Sequence, residues 1–161
     1  GQSNQLYSPL QLANYIATLV SGGKHYDAHL LKAVKSYDHS EVIATGNEEP
    51  TNIVEISDST LKAVKEGMHN LTTGTLAPYF SQCVVEAGAK TGTAQVFSNQ
   101  TNNGVFVCFA PYDDPEVAMA VVVEHGGSGG ELAAIASDVL SYYFSARETQ
   151  EAIPQENTLI R

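Results

Sequence analysis

The sequence contains one run of residue types that could bind a reacting acyl group, Lys90-Thr91-Gly92-Thr93. Successive side chains of a strand face opposite ways, so Thr91 and Thr93 would share one face and Lys90 would point to the other. Gly92 would leave the backbone open to close approach. Two hydroxyls, a peptide N–H and a nearby ammonium group suit a ligand carboxylate and carbonyl, which is what acyl transfer requires. Taken alone, four such residues are more typical of a solvated surface strand.

The strand that carries this motif is predicted to be the first of three. Strand candidates at residues 84–97, 104–110 and 116–124 are separated by short, turn-rich connections, which favours an antiparallel meander. Helices are predicted before and after these candidates. The predicted fold class is therefore α+β, with an antiparallel sheet at 84–124 covered by helices.

Three helices are predicted from local start signals and apolar spacing. The first begins at Ser8-Pro9, a side-chain cap followed by proline at the first helical position. The second begins at Ser57 or Asp58, and the last covers residues 131–144. The predicted buried stripes are Leu12, Ile16 and Leu19 on the first helix, Leu61, Val64, Met68 and Leu71 on the second, and Leu132, Ile135, Val139 and Tyr142 or Tyr143 on the last.

The rest of the chain is predicted to form a hairpin, connections and a tail. Residues 29–37 and 41–45 have the composition of two short strands joined by a turn at 38–40. Gly74 suits a left-handed exit from the second helix. We expect one domain at residues 1–146 and a polar, flexible tail at residues 147–161.

The composition narrows the class of partner. Eight basic and eighteen acidic side chains give a formal charge of −10, which argues against nucleic acid or anionic lipid as the main partner. The histidines lack metal-ligand spacing, so neither a metal site nor another cofactor is expected, and His125 is predicted to be structural. Cys83 and Cys108 are predicted to be buried thiols. Residues 126–130 (GGSGG) lack the ending of a phosphate loop and are predicted to be a flexible connection.

The motif and its surroundings resemble the serine penicillin-binding proteins. Lys90-Thr91-Gly92 is similar to the K-T-G signature that accompanies S-x-x-K and S-x-N in that superfamily. Further segments resemble class B, monofunctional D,D-transpeptidases in the same order along the chain: Gly1-Gln2 with residues 7–14 (YSPLQLAN), Gly67-Met68, Gly74-Thr75, residues 109–112 (FAPY) and residues 117–127. The resemblance covers residues 1–145 and implies the C-terminal part of a penicillin-binding transpeptidase domain, which shares its fold with the serine β-lactamases.

The resemblance implies a role for each residue of the motif. The Thr93 N–H would be one of two oxyanion-hole donors, and the hydroxyls of Thr91 and Thr93 would hold the substrate's terminal carboxylate beside Gly92. Lys90 would lie behind the strand near the S-x-N serine and supply positive potential. The implied reaction cross-links peptidoglycan stem peptides that end in D-Ala-D-Ala through a serine ester, and β-lactam antibiotics would mimic that dipeptide.

The implied nucleophile is not found at a matching position. In the family, S-x-x-K and S-x-N lie upstream of the segment that resembles Gly1-Gln2, so this chain is expected to be inactive alone. One S-x-x-K string, Ser59-Thr60-Leu61-Lys62, falls between that segment and Lys90, and we interpret Ser59 as a polar residue of a first helical turn. Two alternatives remain: a non-catalytic interaction module, and an autonomous serine hydrolase that uses Ser59.

The resemblance also implies partners and a location. The partners would be peptidoglycan stem peptides, β-lactam antibiotics and the remaining part of the transpeptidase domain. Self-association of the fragment is expected, because the family's sheet uses further strands whose absence would expose apolar surface. The implied location is the extracytoplasmic face of the bacterial cell membrane, with the anchor upstream of this chain.

Overall fold

The computed structural model describes residues 6–96 and 99–152. In chain order the elements are α1 (Pro9–Val20), β1 (Lys24–His25), β2 (Ala33–Lys35), β3 (Val42–Thr45), β4 (Asn52–Ile53), α2 (Asp58–Thr73), α3 (Ala77–Phe80), β5 (Gly88–Ala94), β6 (Asn103–Ala110), β7 (Val117–Val123) and, after a 3₁₀ turn at Gly129–Leu132, α4 (Ala133–Ala152). The main sheet is the antiparallel meander β5-β6-β7. This confirms the predicted α+β class, although β5 begins later than residue 84.

The helix starts follow from local sequence, as predicted. The Ser8 hydroxyl accepts the Gln11 N–H at 3.3 Å, and the Gln11 side chain accepts the Ser8 N–H at 2.8 Å, which together form a capping box. Ser57 caps α2 by accepting the Thr60 N–H at 3.2 Å. Gly74 differs from the prediction, because its φ of −101° is not left-handed. A glycine is needed there because a Cβ would lie 2.7 Å from the Asn70 carbonyl oxygen.

The sheet separates two hydrophobic clusters. On one face, Phe106 and Cys108 pack with Leu132 and Leu140 from the 3₁₀ turn and α4. On the other face, Phe109 packs with Ile16 of α1 and Met68 of α2. Burial raises the pKa of the Cys108 thiol to about 12, whereas Cys83 is only half-buried. The helices thus cover both faces of β6, the strand that pairs with β5.

The predicted buried stripe of α4 is wrong beyond Leu132. Ile135 and Val139 are each 47% exposed, and Tyr142 and Tyr143 also face outward. The buried residues of this region are Leu132, Ala133, Ala136, Ser137, Leu140 and Phe144. Alanine and serine at the contact let α4 approach the sheet closely, and apolar residues occur around most of the helix, so periodicity alone could not select the face.

The end of α4 lies beyond the predicted domain boundary at residue 146. The helix continues to Ala152, and the Arg147 guanidinium pairs with the Glu116 carboxylate just before β7. Residues 153–161 of the predicted tail lie outside the described residues. Within the part of the chain that the structure describes, no helix is both long enough and apolar enough to cross a membrane.

The predicted hairpin is present as β2 and β3, with shorter strands than the sequence indicated. The Asp38 carboxylate organises its turn by accepting the Ser36 hydroxyl at 2.6 Å, the Ser40 hydroxyl at 2.8 Å and the Ser40 N–H at 3.2 Å. These hydrogen bonds, that from Ser36 above all, lower the pKa of Asp38 to about 2. The pairing of β1 with β4 was not predicted, because two-residue strands leave almost no periodicity.

We expect the Asp38 carboxyl to titrate near pH 2 rather than at the ordinary 3.8, as followed by NMR of its carboxyl carbon. Because the folded pKa lies below the unfolded one, ionised Asp38 stabilises the turn above pH 4, and this contribution is lost as the pH falls through 2. Ser36→Ala should raise the pH midpoint of the Asp38 titration, because it removes the hydrogen bond that lowers this pKa most. A midpoint near 3.8 in the unmodified chain would contradict the observed turn.

Candidate active site

The faces of the motif follow from the register of β5 against β6. Thr91 lies opposite Phe106 and Thr93 opposite Gly104, whereas Lys90 lies opposite Val107. Phe106 belongs to the cluster beneath α4, and Val107 packs at the cluster formed with α1 and α2. Cross-strand partners share a face, so both threonines are on the α4 face and Lys90 is on the other. This alternation confirms the sequence prediction.

The direction of the peptide groups of β5 can be read from two carbonyls before it. The Glu86 carbonyl accepts the Tyr112 N–H at 2.9 Å, on the side of β6, whereas the Ala87 carbonyl accepts the Thr72 hydroxyl at 2.7 Å, on the opposite side. Peptide groups alternate along a strand, so Thr91 and Thr93 direct their N–H and C=O groups away from β6. Within the described residues β5 is an edge strand, so these groups face an unpaired edge.

The Lys90 side chain reaches this edge. Its Nζ donates to the Thr91 carbonyl oxygen at 2.7 Å, although its Cβ starts on the opposite face from the threonines. The side chain is exposed. The edge therefore carries one ammonium group within hydrogen-bond distance of the backbone that also holds the Thr93 N–H, which would attract an anionic ligand to an otherwise acidic chain.

The structure adds Gly129, which sequence reasoning did not identify as part of the site. The Gly129 N–H donates to the Thr93 hydroxyl oxygen at 3.3 Å. A Cβ on Gly129 would lie 2.1 Å from the Gly92 carbonyl oxygen and 2.3 Å from the Val105 carbonyl oxygen. Residues 126–130, predicted as a flexible connection, thus contain a glycine packed directly on the motif. The sequence signal was the glycine run itself, but nothing local indicated its contact with Gly92.

His125 has a structural role, as predicted. It adopts a φ of 56°, its N–H donates to the Asn103 side-chain oxygen at 2.9 Å, and its ring Nδ1 lies 3.1 Å from the Thr101 carbonyl oxygen. Because a carbonyl can only accept, Nδ1 carries the hydrogen. These bonds join the start of the glycine-rich connection to the segment before β6.

The Ser59-Lys62 string is remote from the motif. Ser59 lies exposed in the first turn of α2, with its hydroxyl oxygen 3.1 Å from that of Ser57. Lys62 lines a cleft with Tyr112, which follows the end of β6, whereas Thr93 pairs at the beginning of β6. At about 3.4 Å per residue, the length of β6 separates Tyr112 from the partner of Thr93 by roughly 20 Å. Ser59 therefore shares no site with Lys90 or Thr93.

A second S-x-x-K string, which the sequence prediction overlooked, is Ser21-Gly22-Gly23-Lys24. It forms the turn after α1, where the Ser21 hydroxyl lies 3.1 Å from the Thr18 carbonyl oxygen and 2.9 Å from the Lys24 carbonyl oxygen. Both neighbours are acceptors, so the hydroxyl hydrogen is already committed to the turn. This serine has the geometry of a helix-end residue rather than of a nucleophile.

Comparison with known proteins agrees with the fold. A family model described as the penicillin binding protein transpeptidase domain matches residues 1–141. The chain is 30% identical over 171 residues to peptidoglycan D,D-transpeptidase MrdA of Haemophilus influenzae. The aligned segment covers 93% of this chain and 26% of that protein. The chain spans about a quarter of the length of the curated relatives it matches.

Two solved structures are similar in three dimensions. Penicillin-binding protein 2B of Streptococcus pneumoniae has a TM-score of 0.74 at 28% identity, over 87% of this chain and 25% of that one. Penicillin-binding protein A of M. tuberculosis, solved as an imipenem acyl-enzyme complex, has a TM-score of 0.65 at 25% identity, over 86% of this chain and 32% of that one. The chain belongs to the penicillin-binding protein transpeptidase domain family.

Proposed function

We propose that β5 forms one wall of the active site of a peptidoglycan D,D-transpeptidase, and that the nucleophilic serine comes from polypeptide outside these residues. The observation that carries the proposal is the unpaired edge of β5. There the outward-facing Thr93 peptide group, the Lys90 ammonium group and the two threonine hydroxyls lie on one short stretch of strand. The name of the Haemophilus relative supports the substrate class.

In the proposed reaction, the serine hydroxyl attacks the carbonyl carbon between the two D-alanines of a stem peptide. The serine proton passes to a base, and the carbonyl oxygen becomes an oxyanion that the Thr93 N–H stabilises. Breaking the C–N bond releases D-alanine as a protonated amine and leaves a serine ester. An amino group of a second stem peptide then attacks the ester, which frees the serine and forms the cross-link.

The other residues of β5 bind and orient the donor peptide. The hydroxyls of Thr91 and Thr93 hydrogen-bond the terminal carboxylate, and Gly92 lets the peptide lie close to the strand. Lys90 supplies positive potential at this edge and assists proton transfer to the leaving amine. A β-lactam would react at the same place and remain as an acyl-enzyme, and the imipenem acyl-enzyme complex of the mycobacterial relative supports this.

The proposal includes a location. Peptidoglycan is assembled outside the cytoplasmic membrane, so the chain would act at its extracytoplasmic face. Its partners would be stem peptides, β-lactams and the segment that carries S-x-x-K and S-x-N.

We expect the isolated chain to form no stable covalent adduct with benzylpenicillin. Ser59 lies one helical turn from Lys62, near the end of β6 that is roughly 20 Å from the partner of Thr93, and the Ser21 hydroxyl hydrogen is held in a turn. Intact-protein mass spectrometry after incubation would show no added mass, whereas this chain combined with the S-x-x-K segment should gain one penicillin.

The same experiment separates the alternatives. An adduct on the isolated chain that disappears in Ser59→Ala would support an autonomous serine hydrolase and contradict the proposal. Absence of an adduct even in the combined enzyme would support a non-catalytic interaction module.

A further inference from the structure

We propose that Gly129, in the glycine loop at residues 126–130, is a positioning residue for the Thr93 hydroxyl, and that this contact sets the preference of the site for acyl donors that end in a carboxylate. The inference rests on the proposed function. It assigns a role in donor selection to Gly129, which follows β7 and is therefore separated from the K-T-G motif of β5 by the rest of the sheet in sequence.

The hydrogen bond between Gly129 and Thr93 determines what the hydroxyl can still do. A hydroxyl has one hydrogen to donate and lone pairs that accept. The Gly129 N–H occupies a lone pair of Thr93 Oγ1 at 3.3 Å. No acceptor for the Thr93 hydroxyl hydrogen occurs among the residues that the structure describes. The hydrogen is therefore available for a carboxylate, which accepts but cannot donate.

The close packing of Gly129 holds this geometry in place. A Cβ at Gly129 would lie 2.1 Å from the Gly92 carbonyl oxygen, 2.3 Å from the Val105 carbonyl oxygen and 2.8 Å from the Gly92 nitrogen. All three are backbone atoms of paired strands, which cannot move aside as a flexible side chain could. Only glycine lets the loop reach the Thr93 hydroxyl without displacing either the loop or β5.

The other end of the glycine loop is anchored independently of β5. The Gly127 N–H donates to the Asn102 carbonyl oxygen at 2.9 Å, with Gly127 at a φ of 78°. The preceding His125 N–H donates to the Asn103 side chain at 2.9 Å. The loop is thus tied to the start of β6 at one end and to Thr93 at the other. This arrangement fixes the position of the Gly129 N–H relative to the strand that would bind the donor.

The first test compares two acyl donors in the combined enzyme, a penicillin with its free carboxylate and the methyl ester of the same penicillin. Gly129→Ala should slow acylation by the free acid by about 10-fold more than acylation by the ester. The matched control is Gly130→Ala, because a Cβ there would meet nothing closer than the Ser128 hydroxyl at 3.6 Å. It should leave the ratio of the two rates within about 2-fold of the unmodified enzyme.

The second test reads the hydrogen bond itself and needs no catalysis. Thr93→Val removes the acceptor oxygen and keeps the shape of the side chain. Amide hydrogen exchange should then accelerate at Gly129 but not at Gly127, whose acceptor is the Asn102 carbonyl. Thr93→Ser, which keeps the hydroxyl, should restore slow exchange at Gly129.

The outcomes separate this inference from the function on which it rests. If the unmodified enzyme forms no acyl adduct with either donor, the proposed function is wrong and donor selection fails with it. If the enzyme is acylated but Gly129→Ala slows both donors by the same factor, the function stands and Gly129 has only a structural role. Unchanged exchange at Gly129 in Thr93→Val would also overturn the inference.

Discussion

Replacing Thr93 with proline is expected to slow acylation of the combined enzyme by any β-lactam by roughly 100- to 1,000-fold. Proline has no N–H, so one of the oxyanion donors is lost, and a single such donor is typically worth about 3 to 4 kcal/mol in the transition state. The Thr93 peptide group faces away from β6, so proline removes no hydrogen bond of the β5-β6 ladder. The loss should therefore appear in the acylation rate more than in the fold, which circular dichroism and thermal unfolding would check.

The hydroxyl of Thr93 can be separated from its N–H by two milder substitutions. Thr93→Ala keeps the N–H but loses a charge-assisted hydrogen bond worth about 1.5 to 3 kcal/mol, so acylation should fall by roughly 10 to 100-fold. Thr93→Ser should remain close to the unmodified enzyme. A donor without a carboxylate should react equally slowly with the unmodified enzyme and with Thr93→Ala. Equal slowing of both donors by Thr93→Ala would show that the hydroxyl does not bind the carboxylate.

Leu140→Ala is expected to destabilise the chain by about 2 to 5 kcal/mol, a large part of the stability of an ordinary domain. Leu140 is 1% exposed and packs on the buried face of α4, in the same cluster as Phe106 of β6. Its replacement removes buried methyl groups and leaves a cavity against the sheet that positions Thr91. Urea denaturation followed by circular dichroism would measure the loss.

The matched control for Leu140→Ala is Ile135→Ala on the same helix. It deletes the same number of carbon atoms, but Ile135 is 47% exposed, so the change should be within about 1 kcal/mol. The comparison tests which face of α4 is buried. Greater destabilisation by Ile135→Ala than by Leu140→Ala would mean that the helix packs on the face that its apolar spacing predicted, and equal destabilisation would contradict the burial difference between the two side chains.

Short-range sequence signals were sufficient to predict much of the architecture. Ser8-Pro9 specified the start of α1, because the cap and the fixed φ of proline act within one helical turn. Strand candidates separated by short turns were enough to predict the meander, and alternation along β5 was enough to place Thr91 and Thr93 on one face. The K-T-G motif was recognised for the same reason, since all of its residues are adjacent in sequence.

Only the tertiary structure decided what those residues meet. The outward direction of the Thr93 peptide group depends on which neighbour β5 pairs with. The Glu86 carbonyl accepts the Tyr112 N–H on the side of β6, and the Ala87 carbonyl accepts the Thr72 hydroxyl of α2 on the opposite side. The buried face of α4 depended on close packing of its small residues against the sheet, which a helix with apolar residues on several faces does not specify. The contact of Gly129 with Gly92 joins segments far apart in the chain. Such contacts arise from packing between elements, and a single sequence contains no local signal for them.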